Sequence, residues 1–151
     1  MKIYTKTDFI VLVLILFVIS TLSACKNSYS IPPESDFNTT NNSNSVCIVT
    51  EKTEYTTKDE FIQYKIINNS DTVFSKSKED FVLQKHEKNS WKNYSFKKGR
   101  VYTYEYYEFE LSKGESMNET ISLKANFDIP MEKGYYRIIH FGLTSNIFII
   151  E

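Results

Sequence analysis

Short runs of alternating apolar and polar residues fill positions 46–151 and predict β-strands. In the run 61–67, Ile62, Tyr64 and Ile66 fall on one face, while Gln63 and Lys65 fall on the other. Clusters of Asn, Ser, Asp and Gly between the runs are typical of turns. The pattern predicts seven or eight strands, in the runs 46–49, 61–67, 81–85, 91–96, 102–111, 119–123, 135–141 and 146–150, with the last two forming a hairpin around 142–145.

Short strands separated by turns are typical of an antiparallel β-sandwich. The composition fits one globular domain, because hydrophobic residues make up 41% and charged residues 25%. A net charge of −1 excludes a strongly basic nucleic-acid-binding protein. The sequence has neither a glycine-rich phosphate loop nor zinc-ligand spacing, so we expect no cofactor and no metal. We expect a monomeric all-β domain at 46–151.

Residues 1–24 have the pattern of an export signal. Lys2 and Lys6 precede an apolar stretch at 9–19, and its eleven residues fit the ~7–15 of a signal-peptide core better than the ~20 of a membrane-spanning helix. The residues that follow, Leu22-Ser23-Ala24-Cys25, resemble the lipobox of bacterial lipoproteins. The resemblance implies cleavage after Ala24 and a diacylglyceryl thioether on Cys25. The alternative is a plain N-terminal membrane helix with Cys25 incidental.

Lipidation of Cys25 would hold the mature chain on the extracytoplasmic face of the cell membrane, since two or three acyl chains anchor stably. Residues 25–45 are dominated by Ser, Asn, Thr and Pro without periodicity. Such a segment buries too little apolar surface to fold, so it predicts a flexible tether. Cys47 would then be the one remaining thiol. We expect it to be a small buried hydrophobe; an intermolecular bridge or a reactive thiol is the alternative.

Three carboxylates and one histidine are the candidates for catalysis. Glu105, Glu108 and Glu110 lie in one predicted strand, and paired carboxylates serve glycoside hydrolysis. Alternation sets Glu108 and Glu110 on one face and Glu105 on the other, so we interpret them as a solvent-facing strand edge. His140 is expected to be a packing residue of the strand 135–141, and His86, near a turn, is expected to be solvated.

Three tyrosines are the candidates for ligand binding. Tyr102, Tyr104 and Tyr106 alternate, so they share one face of a predicted strand. An exposed ladder of this kind suits a sugar ring or a partner's aromatic residues, because Tyr combines apolar area with a polar tip. The alternative is that the three rings face the core, since the opposite face of the strand is also largely apolar.

The stretch 132–138 carries a further resemblance. Its residues Gly134, Tyr136 and Ile138 resemble the Asp-x-Gly-x-Tyr-x-Cys stretch of immunoglobulin-type domains. The resemblance implies that Gly134 makes a turn and that the Tyr136 hydroxyl bonds back to the backbone, forming a tyrosine corner. Ile138 stands where those domains have Cys, so hydrophobic packing must replace their inter-sheet disulfide.

With the runs 51–55, 64–70 and 81–85, the last followed by Trp91, this stretch resembles a bacterial Ig-like domain that is common in lipoproteins of low-GC Gram-positive bacteria. The resemblance covers about residues 46–151 and implies an immunoglobulin-like sandwich without catalytic residues. We therefore expect an anchored, non-enzymatic module that binds an envelope protein or a cell-wall glycan. The alternatives are a small envelope hydrolase using the three glutamates with His140, and a passive accessory domain.

Overall fold

The computed structural model describes residues 30–37, 45–77, 79–101 and 108–151 of the chain. Within these ranges the chain forms eleven strands and two one-turn helices. The strands are β1 (Val46–Thr50), β2 (Glu54–Tyr55), β3 (Phe61–Asn68), β4 (Phe74–Ser77), β5 (Val82–Glu87), β6 (Ser90–Asn93), β7 (Glu108–Leu111), β8 (Ser116–Ser122), β9 (Gly134–His140), β10 (Leu143–Thr144) and β11 (Phe148–Ile150). The helices are α1 (Glu34–Phe37) and α2 (Leu123–Asn126).

Two larger sheets form the sandwich. The three-stranded sheet has the order β1-β3-β8, and the six-stranded sheet has the order β2-β11-β9-β5-β6 with β10 paired to β9. Strands β4 and β7 pair with each other in a small third sheet. β2 runs parallel to β11, whereas the other ladders between described strands are antiparallel. The prediction of an all-β antiparallel sandwich is confirmed.

One hydrophobic core lies between the two larger sheets. The inner face of β3 is Ile62, Tyr64 and Ile66, as the alternation of the sequence predicted. Leu83 and Ile138 face them from the six-stranded sheet and join the same cluster of buried side chains. Each fully buried aliphatic side chain of this kind contributes about 1.5–3 kcal/mol relative to exposure, so the core supplies the cohesion that a disulfide supplies in other sandwiches.

The expected tyrosine corner is present. The Tyr136 hydroxyl donates to the carbonyl oxygen of Glu132 at 2.6 Å, and Tyr136 itself is fully buried. Gly134 has φ of 151°, and a Cβ there would lie 3.1 Å from Cε of Lys85. The Lys85 ammonium pairs with the carboxylates of Glu132 and Glu87. The corner therefore fixes the start of β9 against β5.

Several strand boundaries differ from the prediction. The hairpin after β9 turns at Phe141 and Gly142, which have φ of 55° and 72°, so Leu143–Thr144 pairs back as β10 instead of lying in the turn. β8 ends at Ser122, whose hydroxyl accepts from the Ala125 backbone N–H and caps α2. Three strands lie outside the eight predicted runs: β2 and β10 have two residues each, too few to show alternation, and β4 has four.

Candidate binding surface

The outer face of the six-stranded sheet gathers a group of large polar and aromatic side chains. Gln84 of β5 pairs with Arg137 of β9 and with Asn93 of β6, and His86 pairs with Trp91. Directly paired residues share a face, and so do residues two apart in one strand. These five side chains therefore project from one face. We call them the Trp91–Arg137 surface.

The members of the Trp91–Arg137 surface contact one another. The Arg137 guanidinium lies 4.4 Å from the centroid of the Trp91 ring, and the His86 ring packs edge-on against that ring at 5.1 Å. Arg137 Nε donates to Gln84 Oε1 at 2.8 Å, and Gln84 Nε2 donates to Asn93 Oδ1 at 3.0 Å. The side chains thus hold one another in a single arrangement across three strands.

Residues 30–37 lie over this surface. Trp91 Nε1 donates to Asp36 Oδ2 at 2.7 Å, and His86 Nδ1 lies 2.9 Å from the backbone oxygen of Ser30. Burial lowers the pKa of the Arg137 guanidinium and the nearby Asp36 carboxylate opposes that shift, so the group stays charged. We call residues 30–37 the covering segment.

The covering segment corrects two expectations. His86 was expected to be solvated, but only 2% of it is exposed, because Ser30 on one side and Trp91 on the other enclose its ring. Residues 25–45 were expected to be a flexible tether throughout, but α1 and the contacts of Ser30 and Asp36 place 30–37 on the domain. The remaining tether residues, 25–29 and 38–44, lie outside the described residues.

The outer face of the three-stranded sheet has a different character. It holds a shallow depression of about 540 Å³. The exposed side chains around it are small or flexible polar groups with one aliphatic residue, namely Val49, Glu51, Gln63, Lys65, Asn118 and Thr120. These side chains offer hydrogen-bonding groups but no large rigid ring.

The two described carboxylates proposed for a hydrolase, Glu108 and Glu110, do not lie beside the histidine. Glu108 and Glu110 are exposed on one face of β7, as expected of a strand edge. Phe109 projects from the other face, and its ring packs against Phe141 at 5.0 Å. His140 lies on that inner side and is only 5% exposed. Glu105 lies outside the described residues.

Both ring nitrogens of His140 are engaged within the protein. Nδ1 lies 2.7 Å from the hydroxyl oxygen of Tyr64, and Nε2 lies 3.0 Å from the backbone oxygen of Glu79. Burial lowers the pKa of His140, and the bond to Glu79 only partly opposes that shift. The interpretation of His140 as a packing residue is confirmed.

Most of the remaining predicted site residues lie outside the described residues. The ligand-binding candidates Tyr102, Tyr104 and Tyr106 lie outside the described residues, as do the signal peptide, Ala24 and Cys25. Cys47 is a free thiol that is half-buried, and burial raises its pKa. In the described part of the chain, His, Cys, Asp and Glu side chains nowhere form a group of three that could hold a metal ion. No helix among the described residues is long and apolar enough to cross a bilayer.

Comparison with known proteins adds the family. The family model of the bacterial Ig-like domain matches residues 42–142, about two thirds of the chain. No curated protein matches the chain. The matched region contains every described strand except β10 and β11, and it contains the tyrosine corner. The chain therefore belongs to the bacterial Ig-like domain family.

Proposed function

We propose that this chain is a lipoprotein anchored on the extracytoplasmic face of the cell membrane, and that its Ig-like domain binds another envelope protein. The anchor rests on the apolar stretch at 9–19 and on the lipobox-like Leu22-Ser23-Ala24-Cys25. The binding role rests on the Trp91–Arg137 surface. Domains of this family serve as extracellular interaction modules, which supports the same conclusion.

The contrast between the two outer sheet faces carries the proposal. Trp, Tyr and Arg dominate the binding energy of protein interfaces, because they bury large area at low entropic cost. Trp91 and Arg137 lie together on the six-stranded sheet and are already held in place by Gln84 and His86. The outer face of the three-stranded sheet presents Gln, Lys, Asn and Thr side chains instead, with Phe61 exposed at one end of β3, and its described strands carry neither Trp nor Arg.

The geometry favours a protein partner over a glycan. A sugar ring binds by stacking on an open aromatic face. The Arg137 guanidinium already lies over the Trp91 ring, and the His86 ring packs against it edge-on. The hydrogen-bonding groups of Gln84 and Asn93 beside this stack suit the mixed polar and apolar character of a protein interface.

The proposed module is non-catalytic. His140 has a partner on each ring nitrogen, so neither nitrogen offers a lone pair or a proton to a substrate. Glu108 and Glu110 face solvent on the far side of β7 from Phe109 and Phe141. A general acid and base flanking one bond is thus not assembled from these residues.

Site-specific crosslinking on intact cells tests the proposal. A photoreactive amino acid replaces Asn93 on the six-stranded sheet in one variant and Asn118 on the three-stranded sheet in the other. Both are exposed asparagines in strands, so the two variants differ in the face that they report. We expect a discrete crosslinked protein from position 93 and little from position 118. Equal labelling at both positions, or none, would contradict binding through this face, and crosslinking to cell-wall glycan would contradict a protein partner.

A further inference from the structure

The covering segment lies on the sheet in the way that a bound peptide does. Its contacts with the Trp91–Arg137 surface come from residues six positions apart: the Ser30 backbone oxygen and hydroxyl at His86, and the Asp36 carboxylate at Trp91. Pro32 between them is buried, whereas the neighbouring Ile31 is 70% exposed. The segment therefore contacts the sheet through a few specific groups and leaves an apolar side chain in solvent.

The surface presents hydrogen-bond donors to this segment. The Trp91 indole offers only an N–H, and the Arg137 guanidinium has donors but no acceptor. Nδ1 of His86 lies 2.9 Å from the Ser30 carbonyl oxygen and 3.0 Å from the Ser30 hydroxyl oxygen. The carbonyl oxygen can only accept, so the tautomer with its proton on Nδ1 donates to it, whereas the hydroxyl can donate or accept. A matching ligand must supply acceptors: a carboxylate at the Trp91–Arg137 end and a peptide carbonyl at the His86 end.

We propose that the Trp91–Arg137 surface is a binding site for an acidic peptide segment of a partner protein, and that residues 30–37 of the chain itself fill this site in cis. This inference rests on the proposed function, since it names the chemistry by which the partner is recognised. The partner's acidic segment displaces the covering segment and takes the place of the Asp36 carboxylate beside Arg137.

Because the covering segment is part of the same chain, it competes strongly with a partner peptide for the Trp91–Arg137 surface. The covering segment joins the domain through residues 38–44, and short linkers of this kind give an effective concentration in the millimolar range. A partner peptide must therefore bind well enough to overcome an occupant that is always nearby. The covering segment thereby selects for partners that are abundant or that hold the domain at a second point.

Displacement also changes the reach of the domain. With the segment in place, five residue steps separate Cys25 from Ser30, which at full extension span about 17 Å. With the segment released, twenty steps separate Cys25 from Ser45, a coil of about 25 Å average span and about 70 Å maximum. Binding of the partner peptide thus frees an anchored domain to move away from the membrane.

Peptide binding to the unlipidated chain 26–151 tests the inference. The probe is a fluorescein-labelled peptide of residues 29–38 of this chain, and its affinity is measured by anisotropy. The Asp36→Ala protein loses the carboxylate contact to Trp91. Glu34→Ala is the matched control, because Glu34 is an exposed carboxylate in the same helical turn. The single tryptophan of the chain, Trp91, reports coverage through acrylamide quenching.

We expect the Asp36→Ala protein to bind the peptide at least about tenfold more tightly than the wild-type and Glu34→Ala proteins, because its cis competitor is weakened. Its Trp91 should be quenched more strongly than in either control. A probe peptide with Asp36→Asn, or a protein with the further change Arg137→Ala, should lose most of this binding. Equal affinity in all three proteins, or no binding to Asp36→Ala up to about 1 mM peptide, would overturn the inference.

This outcome is separable from that of the proposed function. Peptide binding in purified protein does not depend on the cellular partner, so it can succeed when crosslinking at position 93 fails. Conversely, a crosslinked partner together with no peptide binding would retain the interaction module and reject the acidic peptide site.

Discussion

The Tyr64 hydroxyl and Nδ1 of His140, 2.7 Å apart, join the three-stranded and six-stranded sheets through the core. The backbone oxygen of Glu79 can only accept, so the contact at 3.0 Å places the His140 proton on Nε2. Tyr64 then donates to the unprotonated Nδ1. The neutral imidazole satisfies both neighbours, whereas protonation would add a charge in a buried site.

This relationship predicts a pH dependence of stability. Burial lowers the pKa of His140 in the folded protein below the value of about 6.5 in the unfolded chain. Between these two values the unfolded chain binds more protons, so the free energy of unfolding falls as the pH drops below about 6.5 and levels off below the native pKa. Urea unfolding at a series of pH values measures the slope.

The matched variant is His140→Gln, which keeps an amide donor and acceptor but does not titrate. The difference between the wild-type and variant slopes isolates His140 from other ionising groups. An identical slope in the two proteins would show that His140 does not carry this dependence.

Removal of the tyrosine-corner hydroxyl should destabilise the domain. Tyr136→Phe keeps the buried ring but loses the bond to the Glu132 carbonyl oxygen. We expect a loss of about 1–2 kcal/mol in the free energy of unfolding, because a partly buried hydrogen bond from a fully buried ring is lost. Tyr135→Phe, on the opposite face of the same strand, is the control and should change stability less. Thermal and urea unfolding compare them, and equal losses would contradict a special role for the corner.

Asn68 ties the end of β3 to two neighbouring segments. Its fully buried amide donates to the backbone oxygens of Thr72 at 2.7 Å and Leu111 at 2.8 Å, and its Oδ1 accepts from the Ser70 backbone N–H at 2.9 Å. We expect Asn68→Ala to lower the free energy of unfolding by about 3 kcal/mol or more, since several polar groups lose the hydrogen bonds that the Asn68 amide makes to them. The adjacent, partly exposed Asn69 provides the control Asn69→Ala, and an equally small effect at both positions would count against the interpretation.

Replacement of Arg100 by lysine is expected to destabilise the domain. Its guanidinium makes two bonds of 2.7 Å to the Asp80 carboxylate and lies 3.7 Å from the Phe96 ring centroid. A lysine ammonium can neither make the paired hydrogen bonds to one carboxylate nor stack flat on the Phe96 ring. Arg100→Lys should therefore lower the free energy of unfolding by about 1–2 kcal/mol. The exposed Lys98 allows the reverse control, Lys98→Arg, which should be neutral. Chemical denaturation distinguishes them, and a neutral Arg100→Lys would show that charge alone suffices.

Local patterns predicted the parts of the fold that depend on short-range geometry. Alternation identified Ile62, Tyr64 and Ile66 as the inner face of β3, because burial on one side leaves a period of two. The turn between the predicted strands 81–85 and 91–96 was placed correctly; its central residues Lys88 and Asn89 both have positive φ, as a two-residue hairpin with a type I′ turn requires.

The Trp91–Arg137 surface was missed for a physical reason. A two-residue turn at 88–89 sets His86 opposite Trp91, and this register was available from the sequence. The pairing of β5 with β9 and the contact of Asp36 with Trp91, 55 positions apart, depend on tertiary packing and leave no local pattern. A segment rich in Ser, Asn and Pro therefore looked like a free tether along its whole length.

Metabolic labelling with an alkyne fatty acid tests the central claim, that the domain is held at the membrane through Cys25, most directly. Wild-type and Cys25→Ser proteins are expressed in the native host, and the label and the membrane fraction are followed for each. Cys25→Ser should carry no label and remain an unprocessed precursor, whereas the wild-type protein should be labelled and membrane-bound. Labelling of Cys25→Ser at the wild-type level, or an unlabelled wild-type protein, would contradict the account.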